Sequence, residues 1–123
     1  SDKPTHAIVE LGANDALRGI DPKTTRRNLD AIVAKLQEAG VRVMLAGMYA
    51  PPNWGREYEE DFRSIFPDLA KKYDIDLYPF FLDGVAAEPG LNQPDGIHPN
   101  EKGVAIIVER ILPSVRRLLG AKE

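Results

Sequence analysis

Short β-branched apolar runs alternate with stretches of helical periodicity, and this alternation constrains the fold more than any other feature of the 123-residue chain. Ile8, Val9 and Leu11 form the first run; it stops at Gly12 and is too short for a helix, so a buried strand is expected over Ile8 to Leu11. Gly12 to Asp21 reads as a polar loop. Asp21-Pro22 then supplies an N-cap and a first-turn proline, ahead of Leu29, Ile32, Val33 and Leu36 at i, i+3, i+4 and i+7, with Gly40 at the C-cap of this amphipathic helix. Val41 to Met48 is a second strand run, ended by Pro51-Pro52. Tyr58 to Tyr73 carries Phe62, Ile65, Phe66 and Leu69 at helical offsets, and Pro67 predicts a helix that kinks or breaks in two at Phe66. Ile75 to Leu82 is a third strand candidate despite Pro79. Asn100 opens a last helix with Val104, Ile107, Val108, Ile111 and Leu112 on one face. An order of β, α, β, α, β, α implies an α/β fold with a parallel sheet covered by helices. Ligands of such sheets sit at the carboxyl ends of the strands, which directs attention to residues 12–20, 49–56 and 83–98.

Size and charge narrow the partners. A chain of 13.6 kDa suits one ordinary domain or part of one. Its net charge of -3 has the wrong sign for sequence-independent phosphate binding, so nucleic acid is not an expected partner. No apolar run approaches the length of a membrane span. The absence of cysteine excludes disulfides, thiolate metal sites and cysteine nucleophiles. Ser1 to His6 contains neither an initiator Met nor the basic and apolar regions of a signal peptide, so any leader is expected to be removed or to lie upstream.

Of the two histidines, only His98 follows a carboxylate at a suggestive spacing, in Asp95-Gly96-Ile97-His98. Chance alone gives about 0.16 Asp-x-x-His pairs at this composition, so the pair by itself is weak. Its setting between the last strand and the last helix, flanked by Pro94 and Pro99, strengthens it. A carboxylate on a turn can accept from one ring nitrogen and leave the other as a general base. The competing reading is a surface loop whose histidine caps the final helix, and local residues leave both open. Gly12-Ala13-Asn14-Asp15 after the first strand offers close backbone approach and an amide able to donate to an oxyanion, worth roughly 3 kcal/mol in comparable sites. Taken alone, those four residues are more simply an ordinary turn. His6 reads as a surface residue leading into the first strand, and no metal or cofactor is expected.

Taken together, these loops resemble known blocks. Residues 11–19 (Leu-Gly-Ala-Asn-Asp-Ala-Leu-Arg-Gly) and 93–100 (Gln-Pro-Asp-Gly-Ile-His-Pro-Asn) are similar to the third and fifth blocks of the SGNH, or GDSL-type, hydrolases. Within that family the lysophospholipase, arylesterase and acyl-CoA thioesterase branch is the nearest, and residues 51–58 and 77–82 resemble it too, so the likeness runs along nearly the whole chain. The resemblance implies a three-layer, flavodoxin-like fold, with Asn14 in the oxyanion hole, Asp95 as orienter and His98 as base of a serine triad. It also maps a mobile loop onto Ala16 to Ile20, including Leu17 and Arg18, and an acyl-contacting loop onto Tyr49 to Trp54. Tyr49 and Trp54 then line an acyl groove or, equally, pack a proline turn, and the small Ala50 widens the groove.

The family's Gly-Asp-Ser-Leu block and the glycine block that follows it have no counterpart here. Ser1, Ser64 and Ser114 are the only serines, and none has the required context. The expectation is therefore a C-terminal part, residues 1–123, of a single hydrolase domain whose N-terminal strands, the central one included, and nucleophilic serine lie on another segment. The expected substrate is a small-molecule ester or thioester. The expected partner is an N-terminal fragment of the same precursor, or a second copy covering the exposed edge of the first strand. Resemblance suggests the bacterial periplasm or secretion. The alternative is a non-catalytic α/β module that acts by binding or assembly.

Overall fold

The computed structural model describes residues 3–120, which fall into two compact units that divide between Pro79 and Phe80. In the first unit, strands β1 (His6–Val9), β2 (Arg42–Ala46) and β3 (Asp76–Tyr78) form a parallel sheet in the order β1-β2-β3. Ile8 registers with Met44, and Leu45 with Leu77. Helices α2 (Pro22–Glu38) and α3 (Arg56–Tyr73) pack against each other and against β2. Val43 to Ala46 are all buried, as a central parallel strand requires; α2 contributes buried Leu29 and Val33 and α3 buried Phe62, Ile65, Phe66 and Leu69. Arg26 on α2 pairs with Asp68 on α3 at 3.0 Å, and Lys72 and Tyr73 both hydrogen-bond the Asp30 carboxylate.

Local chemistry explains the helix ends. Asp21 caps α2 through its carboxylate, which accepts from the Lys23 amide at 3.0 Å. At the other end Gly40 takes a left-handed conformation, with φ 76°, while the Val41 amide reaches back to the Leu36 carbonyl. Asn100 caps α4 (Glu101–Leu118) in the second unit, its Oδ1 accepting from the Gly103 amide at 3.0 Å. Two short 3₁₀ turns, Pro52–Trp54 and Pro89–Leu91, complete the elements.

Several sequence expectations need correction. The first strand lies earlier, at His6–Val9, so His6 is part of the strand and Leu11 is not; Leu11 is exposed beyond its end. The loop expected over residues 12–21 contains helix α1 (Ala13–Arg18), bracketed by Gly12 and Gly19 in positive-φ conformations. Its good helix formers Ala13, Ala16, Leu17 and Arg18 are too few to show a period.

Pro67 does not break α3, which runs unbroken through it. An interior proline costs about 3 kcal/mol, whereas each large apolar side chain fully buried contributes about 1.5–3 kcal/mol, and four such side chains flank Pro67. The third strand shrinks to three residues because Pro79 has no N–H to continue the ladder. Its last rung is the Gly47 amide donating to the Tyr78 carbonyl at 2.7 Å. On α4, Ile107 and Ile111 are buried, but Val104, Val108 and Leu112 stay exposed, so the expected single apolar face is covered along only one of its flanks.

Candidate active site

Asp95 and His98 occupy a hairpin-like loop of the second unit. Asn92 and Pro99 form an antiparallel bridge, the Gln93 amide donates to the His98 carbonyl at 2.7 Å, and the Gly96 amide donates to the Gln93 carbonyl at 2.9 Å. Gly96 permits this tight reversal with a φ of 72°. Inside the loop one carboxylate oxygen of Asp95 accepts from the amides of Ile97 (2.9 Å) and His98 (3.0 Å), while the other lies 2.6 Å from His98 Nδ1. The His98 ring hydrogen bond, followed by the His98 and Ile97 backbone amides, pulls the Asp95 carboxyl down to about 2. The three-residue spacing legible in the sequence thus becomes a short hydrogen bond between the carboxylate and one ring nitrogen. The His98 side chain is 67% exposed, leaving the imidazole open to a reacting group.

Three residues with no part in the site expected from sequence, Asn92, Gln93 and Asn100, hold this loop. Asn92 Nδ2 donates to the carbonyls of Val85 (2.8 Å) and Glu88 (2.9 Å). Gln93 Nε2 donates to the Pro99 carbonyl at 3.2 Å. Asn100, besides capping α4, donates through Nδ2 to the Gly90 carbonyl at 3.0 Å. Amides clustered beside a candidate dyad were the available signal.

Asn14 sits in the first turn of α1, in the first unit, with an exposed side chain. Together with Glu10, Gly12, Ala13, Thr25 and Asn28 it lines a cavity of about 440 Å³ beyond the carboxyl end of β1. Burial pushes the Glu10 carboxyl upward. Asp15, the next residue of α1, accepts a 2.8 Å hydrogen bond from the buried Thr25 hydroxyl. Ala16 is buried, while Leu17 and Arg18 are exposed.

The loop after β2 brings Tyr49 and Ala50 to a separate shallow cavity of about 300 Å³ with Arg56, Glu59 and Arg63. The Arg63 guanidinium lies 3.9 Å from the Tyr49 ring centroid. Trp54 turns toward α1 instead, its Nε1 donating to the Ala16 carbonyl at 2.7 Å. Of the serines, Ser1 lies outside the described residues. Ser64 accepts from Arg26 and donates to the Asp61 carbonyl, tying α3 to α2, and Ser114 accepts from Arg117 within α4.

A parallel α/β sheet with an Asp–His pair on the loop before its last helix is an arrangement used by hydrolases that work through an activated nucleophile. The chain belongs to the GDSL-like lipase/acylhydrolase family, whose model matches residues 1–106. It is 37% identical over 118 residues to the esterase TesA of Pseudomonas aeruginosa, covering 96% of this chain and 59% of that protein. To thioesterase 1/protease 1/lysophospholipase L1 of Escherichia coli K12 it is 38% identical over 117 residues, covering 95% of this chain and 56% of that one. The crystal structure of the psychrotrophic esterase EstA from Pseudoalteromonas, inhibited by monoethylphosphonate, superposes with a TM-score of 0.90 at 37% identity, covering 96% of this chain and 64% of that one. The chain therefore spans little more than half the length of the curated relatives it matches.

Proposed function

We propose that this chain is the C-terminal part of a single SGNH hydrolase domain that cleaves carboxylic esters or thioesters through an acyl-enzyme, with the nucleophilic serine on a segment outside these 123 residues. The serine oxygen attacks the carbonyl carbon while His98 Nε2 takes its proton, and Asn14 Nδ2 donates to the oxyanion. Collapse of the intermediate expels the alcohol or thiol, which receives the proton from His98. Water, activated by the same base, then releases the carboxylic acid. Asp95 holds the ring through Nδ1 and stabilises the imidazolium without taking a proton itself. Acyl contacts fall to Leu17, Arg18, Tyr49 and Ala50; buried Ala16 and Trp54, whose indole is turned toward α1, take no such part. The observation that carries this reading is the 2.6 Å contact between His98 Nδ1 and an Asp95 carboxylate already pinned by two backbone amides.

In protein that includes the nucleophile-bearing segment, His98→Ala is expected to lower turnover of an aryl ester by about 10³-fold or more with the fold intact. Asp95→Ala is expected to cost less, because it orients the base. Near-normal turnover of folded His98→Ala would overturn the assignment.

A further inference from the structure

Helix α1 has six residues, too few to be stable through its own hydrogen bonds, so whatever orients Asn14 must come from elsewhere in the fold. The ties come from an aromatic row. Trp54, Tyr58, Phe62 and Phe66 recur every four residues, and from Tyr58 onward they run down one side of α3 with neighbouring ring centroids 6.2 Å and 5.6 Å apart, ending in the buried core. Trp54 extends the row with a centroid 6.3 Å from Tyr58. The row grips both ends of α1. At its start, a Cβ on Gly12 would lie 3.5 Å from the Phe62 ring and 3.6 Å from the Phe66 ring. At its end, a Cβ on Gly19 would lie 2.9 Å from the Trp54 ring, so the indole rests directly on backbone that has no side chain.

Hydrogen bonds complete the grip. Trp54 Nε1 donates to the Ala16 carbonyl at 2.7 Å, and the Tyr58 hydroxyl donates to the Ile20 carbonyl at 2.6 Å. Both acceptors are carbonyls at or just past the end of a helix, groups that have no full set of partners within it. Desolvation, followed by the charges of Asp15 and Asp21, keeps the Tyr58 hydroxyl protonated to higher pH than usual, preserving its donor role.

We infer that Trp54 and Tyr58 are positioning residues for Asn14: the indole N–H and the phenol hydroxyl latch the carbonyl end of α1 to the aromatic row of α3, and so aim the oxyanion donor at the start of the same helix. The inference rests on the oxyanion role proposed for Asn14. Trp54 is thereby assigned to holding the site together and not primarily to lining an acyl groove.

Trp54→Phe removes the donor together with the part of the indole that rests on Gly19, and Tyr58→Phe removes the hydroxyl alone while keeping its ring. In protein carrying the nucleophile-bearing segment, each is expected to lower kcat about 3- to 10-fold, the scale of one hydrogen bond, with KM changed less than about 2-fold. Amide exchange at Gly19 and Ile20, whose N–H groups close the end of α1, is expected to accelerate in both variants. In an Asn14→Ala background the further loss on adding Trp54→Phe is expected to vanish, since the latch acts through the side chain already removed. A folded Trp54→Phe and Tyr58→Phe pair with unchanged kcat, beside an impaired Asn14→Ala, overturns the latch and leaves the role of Asn14 standing. An undiminished loss in the Asn14→Ala background overturns it as well. Unchanged kcat in Asn14→Ala alone removes the oxyanion reading and the latch with it.

Discussion

Asp95 accepts three hydrogen bonds from two consecutive residues, Ile97 and His98: two from their backbone amides and one from the His98 ring. Each favours the charged carboxylate, so the folded pKa falls to about 2 from the ordinary 3.8. The sign of the linkage follows. A carboxyl with a depressed folded pKa contributes stability above its unfolded value, and loses it as pH falls from about 3.8 through about 2. The Asp95 carboxylate is therefore expected to stay ionised in the folded chain above its ordinary value of 3.8. Carbon-detected NMR of the side-chain carboxyls should show the Asp95 midpoint near 2, moving upward in His98→Ala because the ring hydrogen bond is the largest cause of the depression. A midpoint at 3.8 in the unaltered chain would show that the carboxylate is not held this way. The spacing of the two residues was legible in the sequence. The Asx-type turn that makes the spacing productive depends on Gly96 at positive φ and on Gln93 closing the hairpin, and neither reads as a site residue without the fold.

Among the elements, α2 and α4 followed most directly from local chemistry, because Asp21 and Asn100 cap them with their own side chains. The cases of α1, α3 and β3 depended on contacts distant in sequence. Short α1 is held by Trp54, Tyr58 and Thr25, and α3 survives Pro67 through burial on both sides of it. β3 stops where Pro79 meets the chain after β2. There a Cβ on Gly47 would lie 2.1 Å from the Pro79 carbonyl oxygen, a backbone atom that cannot swing aside. Gly47→Ala is expected to separate β2 from β3 at this rung and to destabilise the chain by at least about 1–3 kcal/mol, the range for overpacking in a tight interior. Urea unfolding monitored by circular dichroism measures it, and a midpoint equal to that of the parent chain would refute the close approach.

At the scale of the whole molecule, β1 is an edge strand with Ile8 43% exposed, and α4 presents Val104, Val108 and Leu112 in a row at four-residue steps. Edges and apolar rows of this kind invite a covering partner. A retained segment bearing the nucleophile is the occupant proposed here, in preference to a second copy, because it would also supply the serine. Purified material treated with a serine-reactive phosphonate and resolved by denaturing mass spectrometry should then show label on a companion peptide. A single unlabelled species sedimenting as a compact monomer would contradict both a retained segment and a second copy.

The sequence by itself determined the alternation of strands and helices, the parallel α/β class, the two long capped helices and the family, because each rests on local periodicity, caps or contiguous motifs. Tertiary structure alone decided that residues 13–18 are helical, that α3 continues through Pro67, that β3 ends at Tyr78, and that Trp54 faces α1. In each of these, local preference is weak or opposed, and the outcome depends on burial and hydrogen bonds between residues up to about forty positions apart, which no window along the chain contains.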